Sequence, residues 1–113
     1  MFKMLFPATR SSVRQLTAAE LQERLRNNER LVMLDVRTPE EFADGHIAGS
    51  RLMPLPVVAA RSHELPKDVP IVCVCRSGAR SQAACESLER QGFAVMNLSG
   101  GMIAWKRAGL PTR

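Results

Sequence analysis

The segment Cys75-Arg76-Ser77-Gly78-Ala79-Arg80-Ser81 sets a cysteine at the end of an apolar run and opens a helix a few residues later, with two arginines in the space between. A thiolate is the nucleophilic form of cysteine, and it is available near neutrality only where its surroundings stabilise negative charge. A tight strand-to-helix loop does this, because successive backbone N–H groups turn inward and the helix dipole adds positive potential at the same point. Gly78 supplies a backbone conformation closed to most other residues. The nearest anion for such a cradle is the sulfur of Cys75 itself, whose pKa is expected to fall under that field and the charges of Arg76 and Arg80.

The flanking elements must hold this loop. Ile71-Val72-Cys73-Val74-Cys75 follows Pro70 as an uncharged, β-branched run, the pattern of a strand buried on both faces. Ser81 to Gln91 carries Ala84, Cys85 and Leu88 at helical spacing and is closed by Gly92. Upstream, Thr17-Ala18-Ala19-Glu20 is a capping box, and Leu21 with Leu25 forms the apolar stripe of a helix ending near Asn27-Asn28. Leu31 to Leu34 reads as a buried strand ending at Asp35, and Thr38-Pro39-Glu40-Glu41 caps a short helix that Gly45 stops. A brief strand at Arg51 to Met53, a helix near Val57 to His63, a strand at Ala94 to Asn97 and a helix from Gly101 to Ala108 complete the pattern. Strands alternating with helices imply a mainly parallel sheet covered on both faces. Ligands of such sheets bind at the carboxyl ends of the strands, where Asp35 and Cys75 both fall.

The chain has 113 residues, 45% of them hydrophobic and 24% charged, which fits one globular domain over 1–113 rather than a disordered chain. No apolar run approaches the roughly 20 residues that span a bilayer. Met1 to Pro7 is too short for a signal-peptide core, so a cytoplasmic protein is expected, with residues 1–12 a segment that frays, packs or docks. Three cysteines, two of them on one strand, argue against a disulfide framework and for a reducing compartment. The net charge of +5 is spread along the chain and no aromatic platform accompanies it, with four Phe and no Tyr. Small anions are therefore the expected partners, and nucleic acid and membranes are not.

Asp35-Val36-Arg37, Glu41-Phe42, Gly45-His46-Ile47-Ala48-Gly49-Ser50, the Cys75 loop, Gly100-Gly101 with Trp105, and Gly109-Leu110-Pro111 follow one another at spacings that resemble a rhodanese-like domain, from about Val13 onward. The resemblance implies an α/β three-layer sandwich with a central, mainly parallel five-stranded sheet and helices on both faces. It also implies a single-domain sulfurtransferase in which Cys75 cycles between thiolate and persulfide; a monomer without a cofactor is expected. In that family the thiolate attacks a donor such as thiosulfate, sulfite leaves, and the carried sulfur passes to cyanide or to a thiol, a protein thiol included. Carried over to this sequence, Cys75 is the nucleophile. The backbone of Arg76, Ser77, Gly78, Ala79, Arg80 and Ser81 forms the anion cradle, and Arg76 and Arg80 tune the charge around it. Ser50 stands where the family commonly has alanine. The chemistry is consistent with the loop: cleaving thiosulfate needs a polarisable, ionised nucleophile, and the anionic persulfide suits the same N–H groups.

Each residue also has a plainer reading. Cys75 fits a buried strand cysteine, although its place at the loop favours chemistry. Cys73 shares its face deeper in the sheet and reads as core, with a resolving or redox role as the alternative, and Cys85 reads as core on a helix face. Arg80 either binds donor oxygens or pairs with a carboxylate while bracing the loop. Arg76 is expected to meet solvent and donor. Asp35 and Arg37 read as holding loops together with Glu41, His46 as a turn residue rather than a general base, His63 as exposed, and Trp105 as a core anchor with Met102.

Two other functions fit parts of the pattern. Some phosphatases and arsenate reductases use a cysteine in an N–H cradle, with arginine six positions later; here Arg80 is five after Cys75 and the sixth is Ser81, which favours sulfur. A noncatalytic interaction module is the other, against which the retained cysteine argues. No structural zinc spacing and no phosphate-binding glycine loop are present, so neither a metal nor a nucleotide cofactor is expected.

Overall fold

Among residues 12–113, which the computed structural model describes, five short strands form one sheet. They are β1 (Arg14–Leu16), β2 (Val32–Asp35), β3 (Arg51–Leu52), β4 (Ile71–Val74) and β5 (Val95–Leu98). The order is β1-β5-β4-β2-β3, and every pairing is parallel. Apart from Ser12, the segment expected to fray, pack or dock lies outside the described residues.

The helices are α1 (Ala18–Arg26), α2 (Pro39–Ala43), α3 (Val58–Arg61), α4 (Ala79–Arg90) and α5 (Gly101–Arg107). Both expected capping boxes form: the Glu20 N–H donates to Thr17 Oγ1 at 3.1 Å while the Thr17 N–H donates to the Glu20 carboxylate at 2.8 Å, and Thr38 with Glu41 repeats the arrangement. These reciprocal bonds satisfy N–H groups that a helix start leaves orphaned. The helix expected near Val57 to His63 is instead three short pieces, with single 3-10 turns at Leu55–Val57 and Ser62–Glu64 on either side of α3. No side chain caps any of them.

Alternation along the central strands divides the core into two layers. Val72 and Val74 of β4 pack with Leu98 against Leu21 of α1 and Met102 and Trp105 of α5. Ile71 and Cys73 face the other way and pack with Leu34 against Val58 of α3 and Ala84, Cys85 and Leu88 of α4. All four residues of β4 are buried, as expected of a central strand covered on both faces. Each large side chain buried in these layers contributes about 1.5–3 kcal/mol of transfer free energy.

Four of the five strands follow from apolar runs in the sequence, whereas β1 has no such run. Its three residues, Arg14, Gln15 and Leu16, include only one that is buried, because an edge strand needs little apolar sequence. Its pairing with β5 brings Gln15 opposite Asn97, and that matters for the site.

Candidate active site

Cys75 follows directly on β4 and precedes the turn into α4, at the carboxyl edge of the sheet. Two backbone bonds from the start of α5 hold it there: the Met102 N–H donates to the Cys75 carbonyl at 2.8 Å and the Ile103 N–H to the Arg76 carbonyl at 3.1 Å. Gly101 is required for this approach. A β-carbon at that position would lie under 3.0 Å from the Cys75 and Arg76 carbonyls, and its φ of +55° is left-handed.

The sulfur is held by α4 in the way that a cap residue usually is. α1 and α2 begin with threonine side chains that accept the N3 N–H. α4 begins after Gly78, which has φ +104° and no side chain to cap with. Cys75 Sγ takes that role, accepting the Ser81 N–H at 3.3 Å and the Gly78 N–H at 3.1 Å, with Ser81 Oγ also 3.3 Å away. Burial alone pushes the Cys75 thiol up, but the hydroxyl and N–H of Ser81 and the N–H groups of Gly78 and Ser77 together outweigh it and bring the pKa below its ordinary value. Hydrogen bonding thus favours the thiolate form of this sulfur.

The arginines play a smaller part in this than expected. Arg80 turns away to a bidentate pair with Glu41, Nη1–Oε1 and Nη2–Oε2 both 2.8 Å, so of the two readings offered for it the bracing one is observed. Arg76 is exposed and lines a cleft of about 560 Å³ beside the loop, with Arg37, Glu41, Ile103, Lys106 and Arg107. Among the described residues Arg76, Lys106 and Arg107 form no ion pair and outnumber Asp44, the lining carboxylate besides Glu41, so this cleft favours an anion.

Asp35 and Arg37 are buried and pair through Nε–Oδ1 at 2.9 Å and Nη2–Oδ2 at 2.8 Å. Arg37 Nη2 also donates to the Gly45 carbonyl at 2.8 Å. They brace the turn after α2 as expected, but Glu41 is not their partner, because Arg80 holds it. His46 stacks on Phe42 with ring centres 3.7 Å apart and its Nδ1 donates to the Phe42 carbonyl at 2.8 Å, a turn-bracing arrangement. His63 is exposed, and Trp105 is buried with its Nε1–H donating to the Pro111 carbonyl at 2.8 Å.

Cys73 and Cys85 are buried in the α4-side core. A hydrogen bond with Cys85, together with burial, pushes the Cys73 thiol well up, and Cys85 Sγ donates to the Met96 carbonyl at 3.3 Å. Neither sulfur reaches the surface. No group of three or more His, Cys, Asp or Glu among the described residues is placed to hold a metal ion, and no helix among them is long and apolar enough to cross a membrane.

Two features escaped the reading of the sequence: the Ser81 hydroxyl as a neighbour of sulfur, and Asn97, which joins Ser81, Gly78 and Gln15. Asn97 left a signal, as an uncharged polar residue in an otherwise apolar strand.

The family model described as "Rhodanese-like domain" matches residues 17–108. A curated protein named sulfurtransferase, from Allochromatium vinosum, is 44% identical over 100 residues, covering 88% of this chain and 94% of that protein. A rhodanese-related protein from Thermoplasma volcanium superposes with a TM-score of 0.83 at 32% identity, over 88% of this chain and 97% of that one. A rhodanese-like domain protein from Staphylococcus aureus gives a TM-score of 0.79 at 33% identity, over 82% of this chain and 91% of that one.

Proposed function

The chain belongs to the rhodanese-like domain family, and from that premise we propose that it is a sulfurtransferase in which Cys75 carries sulfane sulfur as a persulfide. The Cys75 thiolate attacks the outer sulfur of thiosulfate or a similar anionic donor, the donor's S–S bond breaks, and sulfite leaves with the bonding pair. A cyanide ion or an acceptor thiolate then attacks the outer sulfur of the persulfide, and the Cys75 thiolate is regenerated. No redox cofactor enters, since electrons balance within the exchange.

The observation that carries this reading is the capping of Sγ by the Gly78 and Ser81 N–H groups and the nearness of the Ser81 hydroxyl. These donors favour the nucleophilic form before attack. The N–H groups of Ala79 and Arg80 stand in the same first turn without bonding Sγ, and they are assigned to the outer sulfur of the persulfide. Arg76 with Lys106 and Arg107 would draw the anionic donor towards the loop. A phosphate-binding loop needs an arginine where Ser81 stands, and Arg80 beside it is committed to Glu41, which weighs against the phosphatase alternative. One sheet with its two flanking layers takes in the described residues, which supports reading 1–113 as one domain, and three free thiols suit the reducing cytoplasm.

Incubation with thiosulfate should add one sulfur atom to Cys75 by intact mass, and cyanide or a thiol should discharge it. Cys75→Ser should take up none. Absence of loading from thiosulfate and from other sulfane donors, with Cys75 titrating as an ordinary thiol, would sink the proposal.

A further inference from the structure

We propose that Asn97 is the positioning residue of this site: a single buried amide ties the middle of the loop, at Gly78, to Ser81 at its end and governs where the Ser81 hydroxyl sends its proton. Asn97 lies on β5 in register with Cys73 of β4 and Gln15 of β1, and it is buried. Its Nδ2, with two hydrogens to give, has three acceptors within reach, the Gly78 carbonyl at 3.1 Å, Gln15 Oε1 at 3.0 Å and Gln82 Oε1 at 3.3 Å. Its Oδ1 lies 2.5 Å from Ser81 Oγ.

The orientation of this amide is not free. A glutamine can present either end of its amide to Asn97, but the Gly78 carbonyl can only accept. It therefore holds Nδ2 towards the loop and Oδ1 towards Ser81, which gives its one hydroxyl proton to Asn97. The same Ser81 oxygen is 3.3 Å from Cys75 Sγ. While Cys75 is a thiol, S–H donates to Oγ and Oγ–H donates to Asn97, and every group is satisfied. Once sulfur loses its proton, the Ser81 hydroxyl is the side-chain donor beside it, and turning it to Sγ gives up the bond to Asn97. Asn97 thus competes with sulfur for one proton, while its hold on Gly78 keeps a backbone donor aimed at sulfur.

Asn97→Asp moves every part of this arrangement in one direction. A carboxylate grips the Ser81 proton more strongly than an amide does. It also sets an acceptor against the Gly78 carbonyl and brings negative charge towards the sulfur, and each change disfavours the thiolate.

The inference rests on Cys75 as the reactive sulfur, as proposed above, and not on the identity of the donor. Its readout is therefore the pH dependence of Cys75 alkylation by iodoacetamide, followed by intact mass, which stands whether or not thiosulfate loads the protein. Asn97→Asp should move the midpoint upward by about one pH unit, so that alkylation below the midpoint slows roughly tenfold. In a Ser81→Ala background the same substitution should move it less. Asn97→Leu is a second variant of similar size, which removes the tether without adding charge. There, amide hydrogen exchange at Gly78 and Ser81 should quicken about tenfold, the loss of one buried hydrogen bond, with β4 unaffected. An unchanged alkylation profile in Asn97→Asp, or unchanged exchange at both amides in Asn97→Leu, overturns the proposal. A lower Tm with neither readout moved does so too, and marks Asn97 as a polar core residue alone.

Discussion

Arg80 and Glu41 clasp each other through two parallel bonds of 2.8 Å across 39 residues of chain. The Glu41 carboxylate also accepts the N–H and hydroxyl of Thr38, at 3.1 Å and 3.2 Å. One side chain therefore closes the capping box of α2 and pins the first turn of α4, the turn whose N–H groups face sulfur. The site is held by the turn that follows β2 as much as by its own loop.

This pair gives the fold a defined sensitivity to acid. Bonding to Arg80 first, and then to the Thr38 backbone, brings the Glu41 pKa from 4.5 down to about 2. A depressed carboxylate stabilises the folded state above the unfolded pKa and loses that stabilisation as pH falls, here between about 4.5 and about 2. Both side chains are partly exposed, at 36% and 28%, so solvent screening limits the pair to about 1 kcal/mol. Glu41→Gln should lower unfolding free energy in urea at pH 7 by that amount and show a shallower decline between pH 5 and pH 2. Equal declines in the two proteins would refute the assignment.

The Asp35–Arg37 pair is a different case, since side-chain exposures of 0% and 5% leave it almost no water. Arg37→Met strands a buried carboxylate and should cost about 3–5 kcal/mol in denaturant unfolding. Combining it with Asp35→Leu removes both charges and should recover most of that loss. If the double variant is as unstable as the single one, the cost lies in the lost bond to the Gly45 carbonyl instead.

Gly78 joins the strain of the loop to its chemistry. A β-carbon at φ +104° would meet the Gly100 nitrogen at 3.3 Å, and a side chain in left-handed backbone costs about 1–2 kcal/mol. Gly78→Ala should lower stability by that order and also slow Cys75 alkylation at fixed pH, because relief of the strain turns the Gly78 N–H from sulfur. A variant that loses stability yet alkylates at the unsubstituted rate would separate the two roles.

Much of this site was legible in the residues, and the rest was hidden for identifiable reasons. Caps and apolar runs are local signals, so Thr17, Thr38 and the β4 run foretold α1, α2 and the central strand. The position of Cys75 between that strand and Gly78 sufficed to point at an anion cradle. What local pattern does not carry is the partner of a long side chain: Arg80 could be read as facing a donor or a carboxylate until the pairing of β2 with β4 brought Glu41 within reach. Gln15 and Asn97 depend likewise on β1 adding to the sheet edge, 82 residues from its contact, and a three-residue edge strand has too little pattern to announce itself. The groups that reach sulfur are neutral donors at short range, while Arg80 is paired with Glu41 and Arg76 is turned to solvent.

Two glycines separate conformational strain from steric conflict. Gly101 and Gly109 both have left-handed φ, +55° and +74°. At Gly109 a β-carbon would meet nothing within 4 Å, whereas at Gly101 it would overlap the Cys75 and Arg76 carbonyls. Gly109→Ala should therefore cost only the backbone term, about 1–2 kcal/mol. Gly101→Ala adds the displacement of α5 from the loop, with the bonds from Met102 and Ile103 to those carbonyls, each worth about 1 kcal/mol. Its loss in urea unfolding should exceed that of Gly109→Ala by about 2 kcal/mol or more. Because α5 anchors the segment that carries the sulfur, the folded fraction should also load thiosulfate sulfur more slowly, while Gly109→Ala loads at the unsubstituted rate. Equal losses of stability in the two variants would mean that α5 can shift without disturbing Cys75, against the close fit on which its placement depends.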